Sequence, residues 1–276
     1  MDGHQTPAAD AAMTLRYGAG AEPKAGPWND TIALLLSHRS VRGYRPDPVP
    51  EGTLETLVAA AQSAATSSNL QTWSVVAVDR PEVRRELAAI ANNQKHIEQC
   101  PLFVVFLADV SRNMRLAEQE GTTLAGMPYL ESFLVSAIDA ALAAQNAVVA
   151  AESLGLSTVY IGALRNDVTR AAELLGLPPG AAPVFGLCVG YAAPGREGEV
   201  KPRLPQAAVL HRETYDADDR RHRAAFDPRL AEFSRRNEIS GDTWTQRVIK
   251  RLGTMAALHG RERLKEKLVA LGFPLK

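Results

Sequence analysis

YLESFLVSAIDAALAAQNAVVAAESL, residues 129–154, is the stretch on which the fold turns. It spans about seven helical turns, is rich in alanine, and carries only Glu131, Asp139 and Glu152 as charges. Phe133, Ala137, Ile138, Ala141, Ala144, Val148 and Ala151 cover nearly every face, and a helix apolar on nearly all sides has to be buried all round. Small residues at several turns let another helix backbone approach closely. The pattern accommodates two placements equally: the central helix of a monomeric core, or a helix packed at a subunit interface. Gly155 ends it.

Working outward, residues 157–161 predict a strand, and Gly162-Ala163-Leu164-Arg165-Asn166 a turn that brings backbone N–H groups near any ligand. A helix over 167–175 and a strand over 183–189 follow. Upstream, residues 102–108 are continuously apolar at strand length, which predicts a buried strand. Residues 82–91 read as a helix and 75–78 as a strand. Leu54, Leu57, Val58 and Ala61 share one face of a helix beginning at Glu51, and Asn29 or Asp30 caps a short helix through Leu36. Polar helices are expected over 229–236, 244–252 and 261–271. With no internal repeat and no linker, the expectation is one domain, 28–276, with a C-terminal helical excursion, preceded by a poorly ordered tail over 1–27.

Lys+Arg and Asp+Glu are both 31, so no overall field points to nucleic acid, and any anion site has to be local. Cys100 and Cys188 sit in apolar stretches without metal-knuckle or redox spacing and read as buried free thiols. No uninterrupted apolar run reaches about 18 residues, and the first 27 residues lack the basic start and apolar middle of a secretory signal. A cytoplasmic chain without a membrane partner is expected. The sequence has no G-x-S-x-G, H-E-x-x-H, P-loop or Cys/His ligand set, and no G-x-G-x-x-G after a predicted strand.

What remains is polar and local. His38-Arg39-Ser40-Val41-Arg42 falls where a helix gives way to loop. It reads either as a solvated basic corner offsetting the helix dipole or as part of an anion site. Lys201-Pro202-Arg203 holds two more cations apart across a residue of fixed φ. Ala64-Ala65-Thr66-Ser67-Ser68-Asn69-Leu70-Gln71 is small and polar, and Asn92-Asn93-Gln94-Lys95-His96 offers amides. Together they suit a phosphorylated, planar, polar-edged cofactor.

His38 to Arg42, Gln94-Lys95-His96, Ala150-Ala151-Glu152-Ser153-Leu154-Gly155-Leu156, Val159-Tyr160-Ile161-Gly162, Phe185-Gly186-Leu187-Cys188-Val189-Gly190 and Lys201-Pro202-Arg203-Leu204-Pro205 occur in one order and spacing. In this the chain resembles the FMN-dependent nitroreductases, above all their oxygen-insensitive NADPH nitroreductase and flavin reductase group, from about residue 32 to about 273. The resemblance implies an α+β nitroreductase-like fold with a mixed central sheet flanked by helices. It also implies that the long helix lies in a homodimer interface and that two FMN sites are built from both subunits. By that analogy His38, Arg42, Lys201 and Arg203 hold the phosphate and ribityl end, because guanidinium binds phosphate in forked, charge-assisted geometry. Arg39 and Ser40 reach the pyrimidine side. Thr66, Ser67 and Gln94 contact the ribityl chain or ring edge, and Tyr160, Ile161, Gly162 and Ala163 run past the isoalloxazine, a backbone N–H near Gly162 meeting N5.

The implied reaction is ping-pong. NADPH or NADH delivers two electrons to the flavin, and a small-molecule acceptor such as a nitroaromatic or quinone then removes them, with no side-chain nucleophile and no metal. Free flavin or a ferric chelate is an alternative acceptor, and a non-catalytic flavoprotein redox sensor is an alternative role. Asn69 and Arg261 are expected at the acceptor pocket, and Arg235 and Arg236 at the 2′-phosphate of NADPH. Two departures from the family pattern stand out. Ala163 replaces a frequent second glycine, which disfavours φ > 0 there. The loop at Ser240-Gly241, before Asp242-Thr243-Trp244, is short and lacks the arginines of NADPH-preferring relatives.

Overall fold

The computed structural model describes residues 7–276. In chain order the helices and strands are α1 (Pro7–Tyr17), α2 (Asp30–Ser37), α3 (Thr53–Gln62), β1 (Trp73–Ala77), α4 (Pro81–Ile90), α5 (His96–Gln99) and β2 (Leu102–Asp109). They continue as α6 (Ser111–Gln119), α7 (Leu130–Ser153), β3 (Ser157–Ile161), α8 (Val168–Leu174), β4 (Ala181–Gly190), α9 (Arg220–Arg236), α10 (Trp244–Leu252) and α11 (Leu264–Ala270). The chain gathers into two compact units, Ser40–Glu197 with Leu258–Lys276, and the residues up to Arg39 with Gly198–Ala257.

The first unit is built on a sheet of four strands, among the described residues, in the order β1-β2-β4-β3. All three strand pairings are antiparallel, and the parallel element is an isolated bridge from Ser40 to Thr158. Every residue of β2 is buried. Its alternation explains why it reads as one apolar run. Leu102, Val104 and Phe106 pack with α3 and α7, while Phe103, Val105 and Leu107 pack with the residues of α4 and α5. Covering both faces makes an antiparallel strand as continuously hydrophobic as a parallel one.

α7 realises the predicted long helix almost to the residue. Ala140, Ala143, Ala144, Ala147, Val148 and Ala151 are buried against β2 and α3, and the alanines permit that close approach. By length and composition this helix could cross a membrane, with a mean hydropathy of 1.6 over its apolar window. Its buried Asp139, bonded to the loop before β1, marks a core helix instead. Within one chain it is not buried all round, as the pattern required. Leu130, Leu134, Ile138 and Leu142, spaced by four along one face, are 44–54% exposed.

The second unit is helical. Phe226, Leu230 and Phe233 of α9 pack with Leu204 and Trp244, and Thr243 and Gln246 form a capping box at the start of α10. α9 begins nine residues before the expected 229, running through Pro228. In the first unit, the C-terminal helix expected over 261–271 divides into a 3₁₀ turn, Arg261–Arg263, and α11. The poorly ordered tail expected over 1–27 needs correction. Its residues 1–6 lie outside the described residues, but Pro7–Tyr17 is helical, with proline at the helix start. Ala9, Arg16 and Ala25 are buried.

Candidate functional site

In the sheet-bearing unit, Ser40 and Arg42 are set by backbone pairing along β3. The Val41 N–H donates to Thr158 O at 3.0 Å, Ser40 bridges Thr158, and the Tyr44 hydroxyl donates to Val41 O at 2.9 Å. This leaves Val41 and Tyr44 buried and Arg42 exposed between them. Arg42 acts electrostatically on His96, at the start of α5. Burial, and then the charge of Arg42, hold the His96 imidazole down at about 4, well below its ordinary value. His96 is 8% exposed, and its Nε2 is a buried atom with no hydrogen-bond partner among the described residues. Gln94, two residues earlier, is half-buried.

The strand β3 carries Tyr160 and Ile161 to the predicted turn, which is a 3₁₀ helix, Gly162–Asp167. Tyr160 meets Phe185 edge-on at 5.0 Å. Neither Gly162 nor Ala163 has a positive φ. The alanine therefore imposes no strain, and the concern raised by the missing second glycine does not arise in this backbone. Asn166, at the end of the turn, joins three candidate segments. Its Nδ2 donates to Ile90 O at 3.0 Å and to Asn92 Oδ1 at 3.3 Å, and its Oδ1 accepts from Arg261 Nε at 2.9 Å. Arg261 is thus tied to the amide loop and the β3 turn.

Thr66, Ser67 and Asn69 lie elsewhere in this unit. Thr66 and Asn69 line a groove of about 290 Å³ with Gln71, Trp73 and Arg112, which no other candidate residue lines. The loop is held in an uncommon conformation. Ser68, Asn69 and Gln71 have φ of 48°, 54° and 52°, a region costly for residues with a Cβ. Asp139 compensates, its Oδ1 accepting from Ser67 N–H at 3.1 Å and its Oδ2 from Thr72 N–H at 3.2 Å and Thr72 Oγ1 at 3.0 Å. Thr66 Oγ1 is nonetheless buried without a partner among the described residues. Such an atom calls for a partner that the described residues do not supply.

In the helical unit, His38 is half-buried and Arg39 exposed at the end of α2. Arg39 lines a cavity of about 530 Å³ with Arg229, Glu232 and Arg236. Lys201 and Arg203 line another, of about 480 Å³, with Trp244 and Arg247. Arg236 is already engaged, donating to Glu199 Oε2 at 2.9 Å and Glu232 Oε1 at 3.0 Å. Its guanidinium holds the Glu199 carboxyl below the usual range. Arg235 is exposed beside Gly241.

Sequence reasoning missed Asp139, Asn166 and the unpartnered His96 imidazole. A carboxylate in the middle of an apolar helix, with Glu131 and Glu152 near its ends, was the available signal for Asp139. His96 was visible only as part of a motif.

Comparisons with known proteins identify the family of the chain. Residues 35–191 match the model of the nitroreductase family and residues 201–276 that of its C-terminal domain. The chain is 39% identical over 245 residues to the FMN reductase (NADPH) of Bacillus subtilis, covering 87% of this chain and 98% of that protein. It is 38% identical over 224 residues to the oxygen-insensitive NADPH nitroreductase of Salmonella typhimurium, covering 80% and 90%. Among solved structures, NfrA2 of B. megaterium superposes with a TM-score of 0.84 at 38% identity, over 90% of this chain and all of that one. The NADPH:FMN oxidoreductase of Vibrio harveyi, solved with NAD+, gives 0.80 at 34% identity, also over 90% of this chain and all of that one.

Proposed function

The chain belongs to the nitroreductase family, and from that membership we propose an FMN-dependent NAD(P)H oxidoreductase that works by two-electron ping-pong transfer to small acceptors. One observation carries the cofactor reading. Two loops singled out for FMN contact, or adjacent to such a residue, each present a buried polar atom without a partner, Thr66 Oγ1 and His96 Nε2, and an exposed arginine stands by the second. A bound ligand with matching donors and acceptors would satisfy both atoms. The donor set therefore fits FMN.

Bound FMN would supply the redox chemistry, taking two electrons from a reduced nicotinamide and releasing them to an acceptor. The chain's own residues bind and orient. Arg42 and Ser40, with His38, Arg39, Lys201 and Arg203 assigned by the family resemblance, neutralise and fix the phosphate, ribityl and pyrimidine groups. Gln94 and His96 supply an amide and a neutral imidazole, Thr66 and Ser67 meet the polar ring edge, and Tyr160 to Ala163 wall the ring plane. Asn69 and Arg261 face the acceptor. Arg235 is the better candidate for the 2′-phosphate, since Arg236 is already paired with two carboxylates.

The exposed stripe of Leu130, Leu134, Ile138 and Leu142 supports a homodimer across α7. Ser67 shares an apolar cavity with Glu131, Ser132 and Val135 of that helix. Dimerisation would thus carry the Thr66-Ser67 loop of one copy to the cofactor of the other. A cytoplasmic location accords with the supply of reduced nicotinamide and with two buried, unbridged thiols. Free flavin is the second acceptor reading, favoured by the name of the B. subtilis relative.

The test is a screen of FMN-loaded protein with NADPH and NADH against nitroaromatics, quinones, free flavin and ferric chelates. Turnover with parallel-line kinetics is expected for at least one acceptor. Failure to oxidise either donor with every acceptor would refute the reading.

A further inference from the structure

Arg16 is the one buried charged side chain of the helical unit among the described residues, at 6% exposure. It lies on α1, ahead of the span that matches the family model. Burying a guanidinium is expensive unless its donors are satisfied, and here backbone carbonyls satisfy them. Nη1 donates to Lys201 O at 2.8 Å, and Nη2 to Leu36 O at 2.5 Å and His38 O at 3.4 Å. In return the Arg16 carbonyl accepts the N–H of Arg203 at 3.0 Å.

These partners are informative. Leu36 and His38 belong to the end of α2, while Lys201 and Arg203 come from a segment more than 160 residues away. One side chain and its own backbone thereby join the peptide that carries His38 to the peptide that carries both cations of the Lys201-Pro202-Arg203 motif. The forked donors of arginine suit several carbonyls at once, where a lysine offers a single point of charge. Burial and the like charge of Arg203 together hold the Arg16 pKa below its ordinary value. The brace therefore holds its own charge close to that of Arg203, an arrangement that an anion relieves.

We propose that Arg16 is a positioning residue for the cofactor phosphate: it fixes the backbone of His38, Lys201 and Arg203 so that their side chains are in place before FMN binds. The proposal rests on the reading that those three residues hold the phosphate. It makes α1 part of the cofactor apparatus of this chain.

A dock for α1 and a brace for a phosphate site differ in which ligand they affect. Riboflavin shares the ring and ribityl chain of FMN but lacks the phosphate. Full-length apo-proteins carrying R16M, R16K or R203A are to be titrated with FMN and with riboflavin, following flavin fluorescence. R16M should weaken FMN by about tenfold or more, the scale of one lost charge-assisted contact, while riboflavin affinity changes by less than about twofold. R16K should fall between R16M and wild type. Equal weakening of both flavins, or unchanged FMN affinity, would overturn the proposal. R203A separates the underlying reading from this one. If R203A removes the preference for FMN over riboflavin and R16M does not, the brace alone is wrong. If R203A keeps that preference, the phosphate assignment falls and the brace with it.

Discussion

Arg42 is exposed while its neighbours Val41 and Tyr44 are buried, so its loss should cost cofactor and spare the fold. R42A is expected to elute from gel filtration without yellow colour, with an unchanged circular dichroism spectrum, because a charge-assisted hydrogen bond contributes about 1.5–3 kcal/mol. His96 makes a prediction about pH. Its folded-state value of about 4 lies below the ordinary 6.5, so between those values the unfolded chain takes up a proton that the folded chain refuses. Apo-protein stability should therefore fall as pH drops from 6.5 to 4, by up to about 3 kcal/mol from this residue. Urea unfolding of wild type and H96Q across that window checks it. An equal slope in both would show that His96 is not the group responsible. The paired carboxylates predict that R236A changes kcat/KM for NADPH by less than about threefold, within the range of exposed ion-pair energies, whereas R235A lowers it further. At this scale the motif cations were legible, since charge and order survive in sequence. Arg16, Asp139 and Asn166 were not, because their roles are set by partners 20 to 185 residues away.

At the level of elements, α7 and β2 were readable because periodicity and composition agree with burial. α7 was nevertheless expected to be enclosed, and in this chain it leaves the stripe of Leu130, Leu134, Ile138 and Leu142 exposed. I138E should convert the proposed dimer to monomer in sedimentation velocity, since a charge in an apolar interface is strongly unfavourable. A dimer that persists would move the interface away from this face. D139N should lower unfolding free energy by about 1–3 kcal/mol, because an amide cannot accept from all three donors now shared by the carboxylate. α1 escaped notice because its apolar face is weak and alanine, glycine and proline dominate its surroundings. What anchors it is Arg16, a tertiary contact that no local pattern announces.

For the molecule as a whole, the balance of 31 basic and 31 acidic residues turns attention from any global field to local clusters of charge. The family match over both 35–191 and 201–276 covers the segments that carry nearly all of those clusters. Ordered motifs revealed the family and its cofactor, while Asn69 and Arg261, the residues proposed for the acceptor, are placed by groove and loop geometry. The central claim is that this chain, loaded with FMN, accepts electrons from a reduced nicotinamide. Its most direct measurement is anaerobic stopped-flow mixing of the FMN-loaded protein with NADPH and, separately, NADH. The account predicts that the flavin absorbance bleaches within seconds with at least one donor and returns when an acceptor is added. A flavin that stays oxidised with both donors would contradict it.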